Sequence, residues 1–172
     1  MTPNELSNLL TNTNLRHKLK FATEEDTETN LIKGNLDFSQ SPSGIALHRS
    51  RCKEHRNFTS TAQIPACISI NFLFSGDIAF SLGSQHYKFS AQHNQCRVIV
   101  NLLPQSEVFS RFGHQGNHVT KLNIMVEKDW LVNRQLSKED QVHLGTLFTN
   151  EACVFSWEAS NRLKHNAQAL FE

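Results

Sequence analysis

The stretch FLFSGDIAFSLGSQHYKF, residues 72–89, carries its bulky apolar side chains at even positions: Phe72, Phe74, Ile78, Phe80 and Leu82. They then move to odd positions, Tyr87 and Phe89. Alternation with a period of two marks half-buried β-strands. Just upstream, CISINFLF sets Ile68, Ile70, Phe72 and Phe74 on one face and Ser69, Asn71 and Leu73 on the other. Ser75-Gly76-Asp77 reads as a three-residue hairpin loop, and a loop of odd length preserves parity. Gly83-Ser84 reads as a two-residue type II′ turn, which reverses it, so Phe80 faces Tyr87 and Ile78 faces Phe89. The expected result is a three-stranded antiparallel meander with one continuous apolar face. A register slip by one residue would turn that face to water.

The β signal extends from Leu36 to Val126. Ser-Pro-Ser-Gly opens a strand over 44–51, Ile64-Pro65 is a break, and CRVIVNLL (96–103) stops at Pro104. VFSRF (108–112) and the GHQGN turn lead into HVTKLNIMV (118–126), where Leu122, Ile124 and Val126 are expected to point inward. Six or seven short strands of this kind predict a small antiparallel barrel or sandwich. Past Val126 the period changes. A helical turn is expected within 128–135, and a helix capped by Ser137 with Asp140 runs to about Phe148. A final helix is expected over 156–172, with Trp157, Leu163, Ala167 and Leu170 as its apolar stripe. At the start, Thr2, Pro3 and Glu5 form a capping-box pattern for a short helix, followed by an acidic exposed arm over 22–30. The chain therefore divides into an N-terminal helix and arm (1–32), a β-barrel (33–127) and a helical segment (128–172).

Composition narrows the classes. The chain has 172 residues, 38% of them hydrophobic, with 12 Phe. That supports one full core, and no apolar run approaches the ~20 residues of a membrane span. MTPNELSNLLTNTN lacks a basic region followed by an apolar one, so no secretory signal is expected and a cytoplasmic location is. The net charge of +1 argues against phosphate-backbone binding by this chain itself. Cys52, Cys67, Cys96 and Cys153 are widely spaced, which reads as reduced thiols.

Candidate chemistry is sparse. No HxH pair exists for a metal site; His48 and His55 are too far apart, and His114 and His118 bracket a glycine-containing loop. Neither a GxSxG nucleophile elbow nor a glycine-rich phosphate loop occurs, so no catalytic residue, metal ligand or cofactor is expected. HRSRCKEHR (48–56) is the most unusual run. Clustered guanidinium groups suit carboxylate or phosphate recognition, although a basic edge strand that discourages strand association reads the same way. On an alternating strand His48 and Ser50 share one face and Arg49 and Arg51 the other, so only one pair can point inward. Phe72, Phe74, Phe80, Tyr87 and Phe89 either line an apolar pocket with a polar handle at Tyr87 or form plain core. Asn71, Asn101 and Asn123 lie on strands, where Asn is disfavoured, and so either face a pocket or solvent.

SGIALHRSR (43–51), ISINFLFSGDIAFSLGSQHYKF (68–89), CRVIVNLLP (96–104), KLNIMVEKDWL (121–131) and RLKHNAQALFE (162–172), in that order, resemble the N-terminal effector-binding domain of AraC-type transcription regulators. The subgroup they are most similar to is the siderophore-responsive, pyochelin-regulator type. The resemblance implies a cupin-like antiparallel β-barrel followed by two or three α-helices. It implies a small-molecule effector at the barrel, with an iron-siderophore complex as the candidate. It also implies a homodimer contact through the helices and DNA binding only through a C-terminal helix-turn-helix domain absent from this chain, with no membrane partner. On that reading His48, Arg49, Arg51, Phe72, Phe80, Tyr87 and Asn101 are the expected effector-binding residues, and Trp157, Leu163 and Leu170 the expected dimer interface. The alternative is a small metal-dependent cupin enzyme, an isomerase or dioxygenase.

Overall fold

The computed structural model describes residues 1–2, 4–5, 20–22, 30–92, 94–148 and 151–172. Among the described residues there are ten strands, and three short helices follow β9. The strands are β1 (Lys20–Ala22), β2 (Ile32–Gln40), β3 (Ile45–Glu54), β4 (Phe58–Ile64), β5 (Cys67–Leu82), β6 (Gln85–Ala91), β7 (Arg97–Leu103), β8 (Glu107–Gly113), β9 (His118–Glu127) and β10 (Cys153–Glu158). The helices are α1 (Lys128–Val132), α2 (Lys138–Leu147) and α3 (Asn161–Phe171). This is the mainly-β architecture with C-terminal helices that the pattern predicts. All pairings are antiparallel, and they build two facing layers. One runs β10-β7-β5-β9-β3-β2, the other β1-β4-β8-β5-β6.

β5 belongs to both layers, and this corrects the expected meander. Ser75-Gly76-Asp77 is not a hairpin loop: one 16-residue strand runs straight through it. Residues 67–75 pair with β9, those up to Leu73 also with β7, and a register shift falls between Leu73 and Ser75. From Gly76 onward the strand pairs with β6 and then β8. Gly76 makes the bend possible. It sits at φ +90°, and a Cβ there would lie 1.9 Å from the His118 carbonyl oxygen. The Asn117 side chain fills in for a missing ladder partner, accepting from the Asp77 N–H (3.2 Å) and donating to its carbonyl (2.8 Å). The second turn is as expected. Leu82 pairs with Gln85, Phe80 with Tyr87 and Ile78 with Phe89, and Gly83 is at φ +54°.

The bend also splits the faces. Beyond it, Ile78, Phe80 and Leu82 point between the layers, as expected. Before it, the odd residues Cys67 and Leu73 do so, while Ile70, Phe72 and Phe74 pack outward with Leu163, Ala167 and Phe171 of α3. β9 is inverted in the same way. Val119 and Met125 belong to the inner core, whereas Leu122 and Ile124, expected inside, lie under α3, with Val126 on their face of the strand. An outer helix supplies a second apolar environment, so the more apolar face of these strands turns away from the barrel.

The expected helix over 156–172 is also corrected. Residues 153–158 form β10, paired along its whole length with the edge of β7, and Trp157 therefore lies on a strand. Val154, Phe155 and Trp157 favour that conformation. Helix α3 starts only after Ser160, whose hydroxyl accepts from the Leu163 N–H. Leu163 packs into the outer cluster, while Leu170 stays exposed. The Ser137 cap forms as read, its hydroxyl accepting from the Asp140 N–H at 3.1 Å. So does the Thr2/Glu5 capping box, with reciprocal bonds of 2.9 and 3.2 Å. The remainder of the expected N-terminal helix, Pro3 included, and nearly all of the acidic arm lie outside the described residues. Among the described residues no helix is long and apolar enough to cross a membrane.

Candidate functional site

Four adjacent strands send polar side chains into the space between the layers. Strand pairing puts them in rows: His48 opposite Asn123, Asn123 opposite Asn71, Ser69 opposite Asn101, and Ser50 opposite Lys121. Asn123 Nδ2 donates to Ser69 Oγ (2.7 Å) and Asn71 Oδ1 (2.8 Å), which ties the His48–Asn123–Asn71 row to the adjacent Ser69–Asn101 row. Their outer members are not satisfied. His48 Nε2 and Asn101 Oδ1 are buried without a hydrogen-bond partner. Buried polar atoms are nearly always paired, so two orphans on linked rows mark a place prepared for something else.

The opposite wall is aromatic. Phe80 lies 5.3 Å from Tyr87, 5.4 Å from Phe109 and 6.1 Å from Phe89, centroid to centroid. Beside it, Arg111 is the strand partner of Phe80. At that end Glu54, 1% exposed, accepts from Arg111 (2.5 Å), from the His114 N–H (2.8 Å) and from Asn117 Nδ2 (2.9 Å). The carboxylate is fully used. Lys121 has no carboxylate in ion-pair reach among the described residues. His48, Lys121, Asn123, Phe89 and Phe109 point inward and are partly accessible.

Electrostatics follow from this crowding. Burial, then the charges of Lys121 and Arg111, lower the His48 pKa to about 3, so the imidazole is neutral near pH 7. Burial and Arg111 lower the Lys121 pKa to about 8, against the opposing pull of Cys52 and Glu54. Burial pushes the Cys67 thiol up to about 12, with Glu127 adding to it.

The seven expected binding residues are not brought to one place. His48, Phe80 and Asn101 face the interior. Tyr87 stacks at its edge, donates to Gln85 Oε1 (2.5 Å), and also lines an outer cavity of about 540 Å³ with Leu82, Glu107 and Phe148. Arg49 and Arg51 lie on the outer face. There Arg49 pairs with Asp37 (2.6 Å) and Arg51 sits 5.1 Å over the Phe171 ring, around a second cavity of about 400 Å³. Phe72 is under α3. The choice that alternation left open on β3 falls to His48 and Ser50. Lys121 and Arg111 were not among the expected residues. Lys121 sits on the face of 118–126 expected to be outer, and only its pairing with Ser50 puts it inside. Among the described residues no three His, Cys, Asp or Glu converge as a metal ion would need.

Residues 33–172 match the family model described as the regulatory protein PchR N-terminal domain. Among curated proteins none matches the sequence significantly. Among solved structures, vicilin from Corylus avellana (hazelnut) is similar at 8% identity and a TM-score of 0.26, over 81% of this chain and 51% of that one. A deletion variant of Bacillus subtilis oxalate decarboxylase is similar at 11% identity and a TM-score of 0.23, over 83% of this chain and 45% of that one. The chain thus spans about half the length of these solved chains. Similarity at that level says nothing about activity.

Proposed function

Since the chain belongs to the PchR N-terminal regulatory-domain family, we propose that it senses a small effector held between its two β layers and passes the signal outward through α3. The observation that carries this reading is the pair of linked polar rows that hold the unpartnered His48 Nε2 and Asn101 Oδ1. We take the effector to be an iron-siderophore complex, as the family resemblance implies. The output is a helix-turn-helix domain in the intact AraC-type protein, and the chain itself is a sensor rather than an enzyme.

The strands that carry the rows also carry the seat of α3. β3, β9, β5 and β7 present His48, Asn123, Asn71 and Asn101 to the inside, and Leu47, Ile124, Phe72 and Val100 to the outside. One strand thickness separates a ligand from the helix. A ligand that draws the rows together changes the spacing of the same strands under α3, which gives it the differential contact between two states that coupling requires.

The test is thermal denaturation of the 172-residue chain with ferric catecholate, hydroxamate and phenolate siderophores. A ligand at a hundredfold excess over its Kd adds about 2.7 kcal/mol, a Tm shift of roughly 5–10 °C at this size. Asn123→Leu, which breaks the link between the rows, should abolish the shift. If no ferric siderophore moves Tm, the siderophore assignment fails. If Asn123→Leu responds like the wild type, the interior site fails.

A further inference from the structure

Three cations of the run HRSRCKEHR point away from the interior. Arg49, Arg51 and Lys53 follow one another on the outer face of β3 at every second residue, a step of about 7 Å. Lys33 of β2 stands directly opposite Lys53. Lys33, Arg51 and Lys53 are exposed, and among the described residues none of the three has a carboxylate in ion-pair reach. Arg49 is held by Asp37 at 2.6 Å. A basic edge strand keeps other strands away, but β3 is no edge: β2 pairs with it on one side and β9 on the other. Like charges directly across a strand pair destabilise a sheet, so Lys33 and Lys53 cost stability unless an anion lies over them. The hollow of about 400 Å³ between Asn35, Arg49, Arg51 and Phe171 opens along this line, with Asp37 and Glu172 as its acidic groups.

We infer that this line of cations is a seat for the phosphate backbone of duplex DNA. A nucleic-acid strand repeats its charge at an interval close to that of alternate residues on β3, whatever its base sequence. An acidic peptide would match it only with a carboxylate at every second residue. Guanidinium and phosphate also make forked hydrogen bonds, and the Arg51 group, 5.1 Å over the Phe171 ring, is oriented by that ring without spending an N–H on it. Contacts of this kind read no bases; they position a protein on a duplex. The net charge of the chain is only +1, so the contact is weak by itself and supplements the helix-turn-helix output proposed above. Because Arg51 rests on Phe171, the strip adjoins α3, the element proposed to carry the signal. The contact goes beyond the sensing role and needs no effector.

The experiment is fluorescence anisotropy of a labelled DNA duplex titrated with the 172-residue chain, without effector, at several low salt concentrations. Three phosphate contacts, from Lys33, Arg51 and Lys53, give log K a slope of about −2.7 against log salt, so affinity should fall roughly 40-fold between about 20 and about 80 mM. The double variant Lys33→Gln, Lys53→Gln should reduce the slope to about −0.9, and Lys33→Arg, Lys53→Arg should keep it. Lys88→Gln with Lys138→Gln, exposed cations on β6 and α2, should leave the slope unchanged. Poly-glutamate at equal charge should displace the duplex far less well than unlabelled duplex does. Absence of binding at the lowest salt, or a full slope in Lys33→Gln, Lys53→Gln, overturns the assignment. Equal displacement by poly-glutamate overturns it too, and puts an acidic protein segment on the strip instead.

Discussion

His48 shows how one residue reports on its surroundings. It lies opposite Asn123 on the inner face, with the Phe38 ring 6.0 Å away and Lys121 and Arg111 close enough to repel a second positive charge. Its pKa is lowered from the ordinary 6.5 to about 3, so between these values the unfolded chain binds a proton that the folded chain refuses. The neutral imidazole thus contributes stability in full above pH 6.5, and that contribution is lost as pH falls toward 3, on the order of 5 kcal/mol. Urea midpoints measured from pH 7 to pH 4 should fall more steeply for wild type than for His48→Gln. Parallel curves would mean that the ring titrates normally. Little of this environment was legible in the sequence. Alternation in HRSRCKEHR reduced the choice to two faces, but which face turns inward depends on where β9 and α3 pack. Lys121 escaped for the same reason: its neighbours Leu122 and Ile124 are the more apolar residues, and α3 buries them on the outside.

At the scale of elements, β5 depends on Gly76. The strand changes layers there, at a φ that side-chain-bearing residues rarely adopt, with the His118 carbonyl where a Cβ would be. Gly76→Ala should destabilise the chain by about 2–3 kcal/mol in chemical denaturation. Gly116→Ala, also at positive φ but with open space around it, should cost less. Equal losses would show that the cost is backbone conformation alone and not the close approach to β9. Parity correctly located the Gly83-Ser84 turn, because a two-residue loop leaves a local trace in the alternation. It misread Ser75-Gly76-Asp77, because a bulge and a three-residue hairpin both introduce glycine and both leave apolar residues at even positions. Only long-range pairing with β7, β8 and β9 separates them. The end of the chain was misread for a related reason. A free edge on β7, 50 or so residues earlier, recruits 153–158 into a strand.

For the whole molecule, the outer face of the α3-side layer carries an exposed aromatic pair. Phe155 is 55% and Trp157 45% exposed, side by side on edge strand β10, and Leu170 of α3 is 53% exposed. This shifts the proposed homodimer contact from a helical stripe to a strand-and-helix surface, since Leu163 is taken up within the fold. The double variant Trp157→Asp, Leu170→Asp should lower the mass seen in sedimentation from dimer to monomer while leaving the melting temperature of the fold within a few degrees. An unchanged mass removes this surface from the dimer.

The long strand β5 has a consequence for how the chain is made. Only β6 follows it closely; its other partners β7, β8 and β9 begin at Arg97, Glu107 and His118. During synthesis the longest strand of the fold therefore emerges early and waits, its edges open, until the chain has reached about residue 127. Folding governed by such distant pairings is slow, and open apolar edges are where chains associate wrongly. The feature that joins the two layers in the finished domain is thus also the point at which a nascent chain is most exposed to aggregation.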